Sequence, residues 1–134
     1  MDNVLITKKF SKLKMLGAAE MFDLRIEQAV KEHWSYSTLL EMLLADEIES
    51  RNHRQLTLRL SKSRLEAAKT METFDLKLND KFPLALIREL SNCSFIEKKQ
   101  NIFILGPCGC GKSHLAQALG HQACRREYGV LFYD

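Results

Sequence analysis

The sequence predicts an α/β chain in two parts: an all-α N-terminal domain, residues 1–72, and the start of a parallel-sheet domain, residues 73–134. Glycine is the first reason. Gly17 is the only glycine before position 106, whereas Gly106, Gly109, Gly111, Gly120 and Gly129 crowd the C-terminal end. Proline is the second, being absent before Pro83. A long stretch rich in Leu, Glu, Lys and Ala and almost free of breakers favours helix after helix. The third reason is a pattern: an apolar run, a glycine-rich loop, a helical repeat and a second apolar run, which is the order of a βαβ unit.

Taken in order, Phe10, Leu13 and Leu16 mark a short helical face that Gly17 is expected to interrupt. Phe22, Ile26, Ala29, Val30 and His33 follow at helical spacing. Residues 34–37 read as a connection, and Thr38 with Glu41 fits a capping box that opens a helix running to about residue 66. Its first half carries an apolar stripe, Leu40, Leu44 and Ile48, expected to be buried. Acids dominate there: Glu41, Asp46, Glu47 and Glu49. Residues 51–69 then carry Arg51, Arg54, Arg59, Lys62, Arg64 and Lys69 against Glu66 alone, an expected basic rod. After a break at Thr73-Phe74-Asp75, Pro83 starts a short helix that buries Leu86, Ile87 and Leu90. Residues 101–105 read as a buried strand, Lys112 to Glu127 as a helix, and 130–133 as a second strand.

The composition, 46% hydrophobic and 28% charged over 134 residues, excludes wholesale disorder and low-complexity character. No run approaches the roughly 18 apolar residues of a membrane span, so no membrane partner is expected. Met1-Asp2-Asn3-Val4 shows no basic stretch followed by an apolar one, so no secretory signal is expected, and Cys93, Cys108, Cys110 and Cys124 lack the spacing of a disulfide framework or zinc ribbon. These features favour a reduced, cytoplasmic protein. A net charge of +3 is too small by itself to argue for nucleic acid.

The chemistry sits in Gly106-Pro107-Cys108-Gly109-Cys110-Gly111-Lys112-Ser113, which matches the G-x-x-x-x-G-K-[ST] phosphate-binding loop in full. Its glycines let backbone N–H groups converge on phosphate oxygens. Lys112 is placed for the β- and γ-phosphates, and the Ser113 hydroxyl for a magnesium ion that bridges them. The helix that begins at Lys112 directs its positive end at the same anion, and His114 lies in its first turn. ATP and magnesium are the implied cofactors, with residues 106–114 as the binding set. Cys108 and Cys110 read as small loop filler. Asp134 imitates a magnesium-holding acid at a strand end, but it follows the second strand. In P-loop folds with an additional strand, that strand does not neighbour the loop's own.

From about Tyr36 to Asp134 the chain resembles the IstB-like ATPases, transposition helpers related to the DnaC helicase loaders within the AAA+ class. The resemblance rests on Leu43-Leu44-Ala45-Asp46-Glu47 before an Arg-rich run, on Thr73-Phe74-Asp75, and on Leu90 ahead of residues 101–107. Residues 111–116 with Ala118-Leu119-Gly120 complete it. It implies an AAA+ sheet domain whose acidic strand, sensor and arginine finger would lie beyond residue 134, so the chain is expected to lack catalytic residues. It also implies ATP binding, self-association, action on DNA, and a transposase of the same element as partner. Non-specific DNA contact is expected from Arg51, Arg54, Arg59, Lys62 and Arg64, because acids are almost absent around them. A helicase loader of replication is the alternative. A non-catalytic helical interaction module is the alternative from another class.

Overall fold

The computed structural model describes residues 3–75, 82–109 and 111–133. Cys110 and Asp134, both singled out above, lie outside the described residues. Six helices are described: α1 (Asn3–Lys12), α2 (Leu16–Glu32), α3 (Tyr36–Ser63), α4 (Leu84–Ser91), α5 (Ser94–Glu97) and α6 (Lys112–Arg125). The chain divides into two compact units, residues 1–55 and 56–134.

In the first unit the turn between α1 and α2 is made by Lys14, whose φ is 59°. Gly17 does not interrupt a helix. It lies inside the first turn of α2 and is buried there. A Cβ at position 17 would stand 2.4 Å from Ser50 Cβ and 2.9 Å from Asp46 O, so only glycine lets α2 and α3 approach this closely. Besides Gly17, the buried residues described in this unit are Ala18 and Phe22 on α2 with Leu43 and Glu47 on α3. Phe10 packs its ring on Phe22 at 5.7 Å between centroids. The Gly17 N–H donates to Glu47 Oε1 at 3.1 Å, so a carboxylate from α3 satisfies an orphan donor at the α2 N-terminus. Arg25 closes the same pair of helices, donating through Nε and Nη2 to the two oxygens of Asp46, each at 2.8 Å. His33, with φ 53°, ends α2, and the Trp34 N–H returns to Ala29 O at 3.0 Å.

Two expectations for α3 change. The cap is Ser35, whose Oγ accepts the Thr38 N–H at 3.1 Å, and the helix starts at Tyr36 within the supposed connection. The buried face is not the apolar stripe. Leu40, Leu44 and Ile48 are 60%, 54% and 60% exposed, while Leu43 and Glu47 are buried. The inward face is set by where a small-residue contact and two carboxylate anchors can form. α3 ends at Ser63, where Arg64 turns left-handed with φ 65° and Ser63 Oγ accepts the Leu65 N–H at 3.2 Å.

In the second unit Ile87, Leu115 and Leu119 are buried together, with Met71, Phe74, Phe82, Leu90, Ile102 and Ile104 packed around them. The expected α/β class is overturned here. Among the described residues there is no strand, and no parallel sheet begins. Along 101–105 burial alternates as a strand's would, with Ile102 and Ile104 inward and Phe103 and Leu105 84% and 88% exposed. A strand also needs a neighbour to take its N–H and C=O groups. Ile102, Ile104, Val130 and Leu131 instead line one apolar cavity of about 410 Å³. The Phe132 N–H donates to Ser63 O at 2.7 Å, binding the second run to the end of α3.

Two outcomes follow from this packing. Gly17→Ala gains helix propensity of up to about 1 kcal/mol. It must also displace Ser50 and Asp46, and overpacking of this kind costs about 1–3 kcal/mol. The urea midpoint should therefore fall, and a rise would show that the helices can separate freely. At the surface of the second unit, Arg125 donates to Glu72 through Nη1 at 2.5 Å and Nη2 at 3.2 Å. Those hydrogen bonds hold the Glu72 carboxyl at about 2, below its ordinary 4.5. A depressed carboxylate contributes stability above its unfolded pKa, and that contribution is lost as pH falls from about 4.5 through about 2. An NMR titration should find the Glu72 midpoint at that depressed value, with Arg125→Gln restoring it toward 4.5.

Candidate nucleotide site

The loop from Gly106 to Ser113 links the apolar run 101–105 to α6. Gly109 and Gly111 adopt φ of 80° and 88°, values that an L side chain reaches only with strain. Gly111 is also confined sterically, since a Cβ there would meet Phe74 Cε2 at 3.3 Å, whereas around Gly109 the space is open. Gly111 caps α6, its carbonyl accepting the Leu115 N–H at 2.9 Å. The Lys112 Nζ bends back to donate to Gly106 O, carrying its ammonium across the loop to the loop's first residue.

This geometry suits phosphate. The left-handed glycines are placed where a curled backbone needs them, a lysine ammonium reaches across the loop, and a helix begins at its rim. When bound, a magnesium nucleotide would bring the phosphates. The chain's own contribution would be Lys112 as cation, the Ser113 hydroxyl as metal ligand, and the loop's N–H groups as donors. Pro107 and Cys108 are exposed on the same loop.

Ser113 is held by a neighbour on its own helix. Gln117, one turn later and 1% exposed, donates through Nε2 to Ser113 Oγ at 3.4 Å. Its Oε1 accepts the Glu66 N–H at 2.8 Å. His121, one further turn on, donates through Nε2 to Glu66 O at 2.8 Å. Both main-chain groups of Glu66 are thus clamped by α6. His114 belongs to this anchoring: its Nε2–H donates to Thr70 O at 3.0 Å, and its ring stands edge-on to Phe74 at 5.3 Å. Its ring is therefore engaged by the segment 70–74. Gln117 was not among the sequence candidates. Its i+4 position from Ser113 was visible, but its contact with Glu66 spans 51 residues.

The basic residues fall into three surroundings. Arg51 and Arg54 lie 3.8 and 3.7 Å from the buried carboxylate of Glu47. Arg59 donates to Cys124 O at 3.0 Å, capping the negative end of α6. Lys62 is exposed, and Arg64 stands over the Tyr133 ring at 5.8 Å. Burial raises the thiol pKa of both Cys93 and Cys124, and Cys108 is exposed. Among the described residues no three His, Cys, Asp or Glu side chains gather as a metal site, and no helix is long and apolar enough to cross a membrane.

Comparison with known proteins gives this loop its setting. Residues 8–134 match the family described as IstB-like ATP binding protein. A Pseudomonas aeruginosa protein named as an ATP-binding protein of insertion sequence IS21 is 38% identical over 91% of this chain and 46% of its own length. An insertion-sequence ATP-binding protein of Mycobacterium tuberculosis is 36% identical over 90% of this chain and 48% of its own. One of insertion sequence IS5376 from Geobacillus stearothermophilus is 39% identical over 85% and 45%. The chain therefore spans about half the length of the curated relatives it matches. Matched from residue 8 to residue 134, the chain belongs to the family of IstB-like ATP binding proteins.

Proposed function

We propose that the chain binds ATP with magnesium through residues 106–114 and serves as a helper in the transposition of an insertion sequence. The observation that carries the nucleotide reading is the loop itself, with its left-handed Gly109 and Gly111, its Lys112 folded onto Gly106 O, and Ser113 backed by Gln117. Transposition is favoured over helicase loading by the insertion-sequence names of the relatives. The reading as a helical module without a folded loop half is disfavoured by the packed cluster of Ile87, Leu115 and Leu119. A transposase of the same element as partner, self-association and a cytoplasmic setting belong to the same proposal. So does a division of labour between a helical domain, 1–72, for DNA or partner contact and a nucleotide domain, 73–134.

Within that proposal Lys112→Ala removes the loop's own cation, the ammonium that reaches Gly106 O. Calorimetric titration with magnesium-ATP should show binding lost in the variant while helix content by circular dichroism is kept. Equal binding in parent and variant would refute the nucleotide assignment.

Non-specific DNA contact through α3 is the second part. Arg51, Arg54 and Lys62 are exposed and carry it in this proposal, with phosphate competing against Glu47 for the two arginines. Each phosphate neutralised adds roughly 0.9 to the log–log salt slope on duplex DNA. Changing Arg54 and Lys62 together to Gln should lower both affinity and slope, by up to about 2 in slope. Arg59→Gln should act chiefly on stability, since its guanidinium holds Cys124 O. A double variant binding like its parent across a salt series would remove DNA from the account of this helix.

A further inference from the structure

Beside the phosphate loop lies a polar cavity of about 580 Å³, lined by Arg64, Glu66, Lys69, Ser113, Gln117 and Tyr133 among others. Its wall contains the residue that a magnesium-nucleotide loop uses at the β- and γ-phosphates, so the cavity adjoins the phosphate end of the site and not the base end. Two cations line it, and they are not equivalent. Lys69 Nζ is 3.3 Å from Glu66 Oε2, which largely balances its charge. Arg64 has no carboxylate partner among the described residues, and its guanidinium stands over the face of Tyr133. Its backbone is left-handed, φ 65°, an uncommon state for a side chain of this size.

We propose that Arg64, with Lys69 beside it, forms a subsite for the terminal phosphate of the nucleotide held by residues 106–114. The inference rests on the nucleotide reading and adds to it a residue far from the loop in sequence. The planar guanidinium offers paired N–H donors that match two phosphoryl oxygens, and the Tyr133 ring supports it from the opposite side. A diphosphate does not present that group, so the subsite discriminates ATP from ADP.

The test uses the whole 134-residue chain, titrated with magnesium-ATP and magnesium-ADP. The parent should favour ATP by about tenfold or more, the effect of one charge-assisted hydrogen bond. Arg64→Asn suits the variant arm because asparagine tolerates a left-handed backbone. It should abolish most of the preference and leave ADP affinity within about twofold. Arg64→Lys, which keeps charge without the fork, should fall between. A preference unchanged in Arg64→Asn, or equal losses for ATP and ADP, would overturn the subsite alone. A loss of DNA affinity with the nucleotide preference intact would assign Arg64 to DNA and overturn it as well. A parent that binds neither nucleotide would overturn the loop reading, and the subsite with it.

Discussion

Backbone groups taken out of water need hydrogen-bond partners, and the second unit meets that demand with side chains of α6. A sheet would have supplied such partners by ladder. Here Gln117 and His121 take the N–H and C=O of Glu66, His114 takes the carbonyl of Thr70, and Arg59 reaches in the other direction to Cys124 O. Three of these bonds tie α6 to the segment that follows α3, and the fourth ties it to the last turns of α3 itself. The helix beginning at the phosphate loop is therefore oriented from its flank, and the orientation passes to Ser113 through Gln117.

The first unit solves a related problem at a helix end. Glu47 is buried although it is acidic, and what makes that burial tolerable is the Gly17 N–H on one oxygen and two arginines close by. The arrangement works only because position 17 lacks a side chain. Ala18, fully buried beside it, extends the close contact. α2 and α3 are thus joined by small residues and fixed charges more than by aliphatic bulk, and the Arg25–Asp46 fork continues the same logic from the residue just before Glu47.

Much of this was legible in the sequence, and the failures share a cause. The helices at Phe22–Val30, Leu86–Leu90 and Leu115–Ala123 follow from periodicity, and the phosphate loop follows from its spacing. The family resemblance on residues 43–47 and 106–120 agrees with the match found over 8–134. What failed depended on partners distant in sequence. Residues 101–105 keep a strand's alternation, but alternation states which side is apolar, not whether another segment stands alongside. Leu40, Leu44 and Ile48 form a true stripe, yet nothing within α3 reveals that a glycine on α2 makes the adjacent face the better contact. The five basic residues looked alike as charges, and only the fold distinguishes Arg59, which holds a carbonyl, from Lys62, which is exposed.

The bend of Lys112 onto Gly106 O bears on the heat of ligand binding. An ammonium already seated on a carbonyl must give up that acceptor to an incoming anion, where an exposed one would give up water. One charge-assisted bond is broken as another forms, so the enthalpy released reflects a difference between two acceptors. The ammonium also starts ordered, which lessens the side-chain entropy lost on capture. In the nucleotide reading proposed above, capture of phosphate would begin by freeing Lys112 from Gly106 O, so its signal would reflect an exchange of acceptors by a side chain that is already placed.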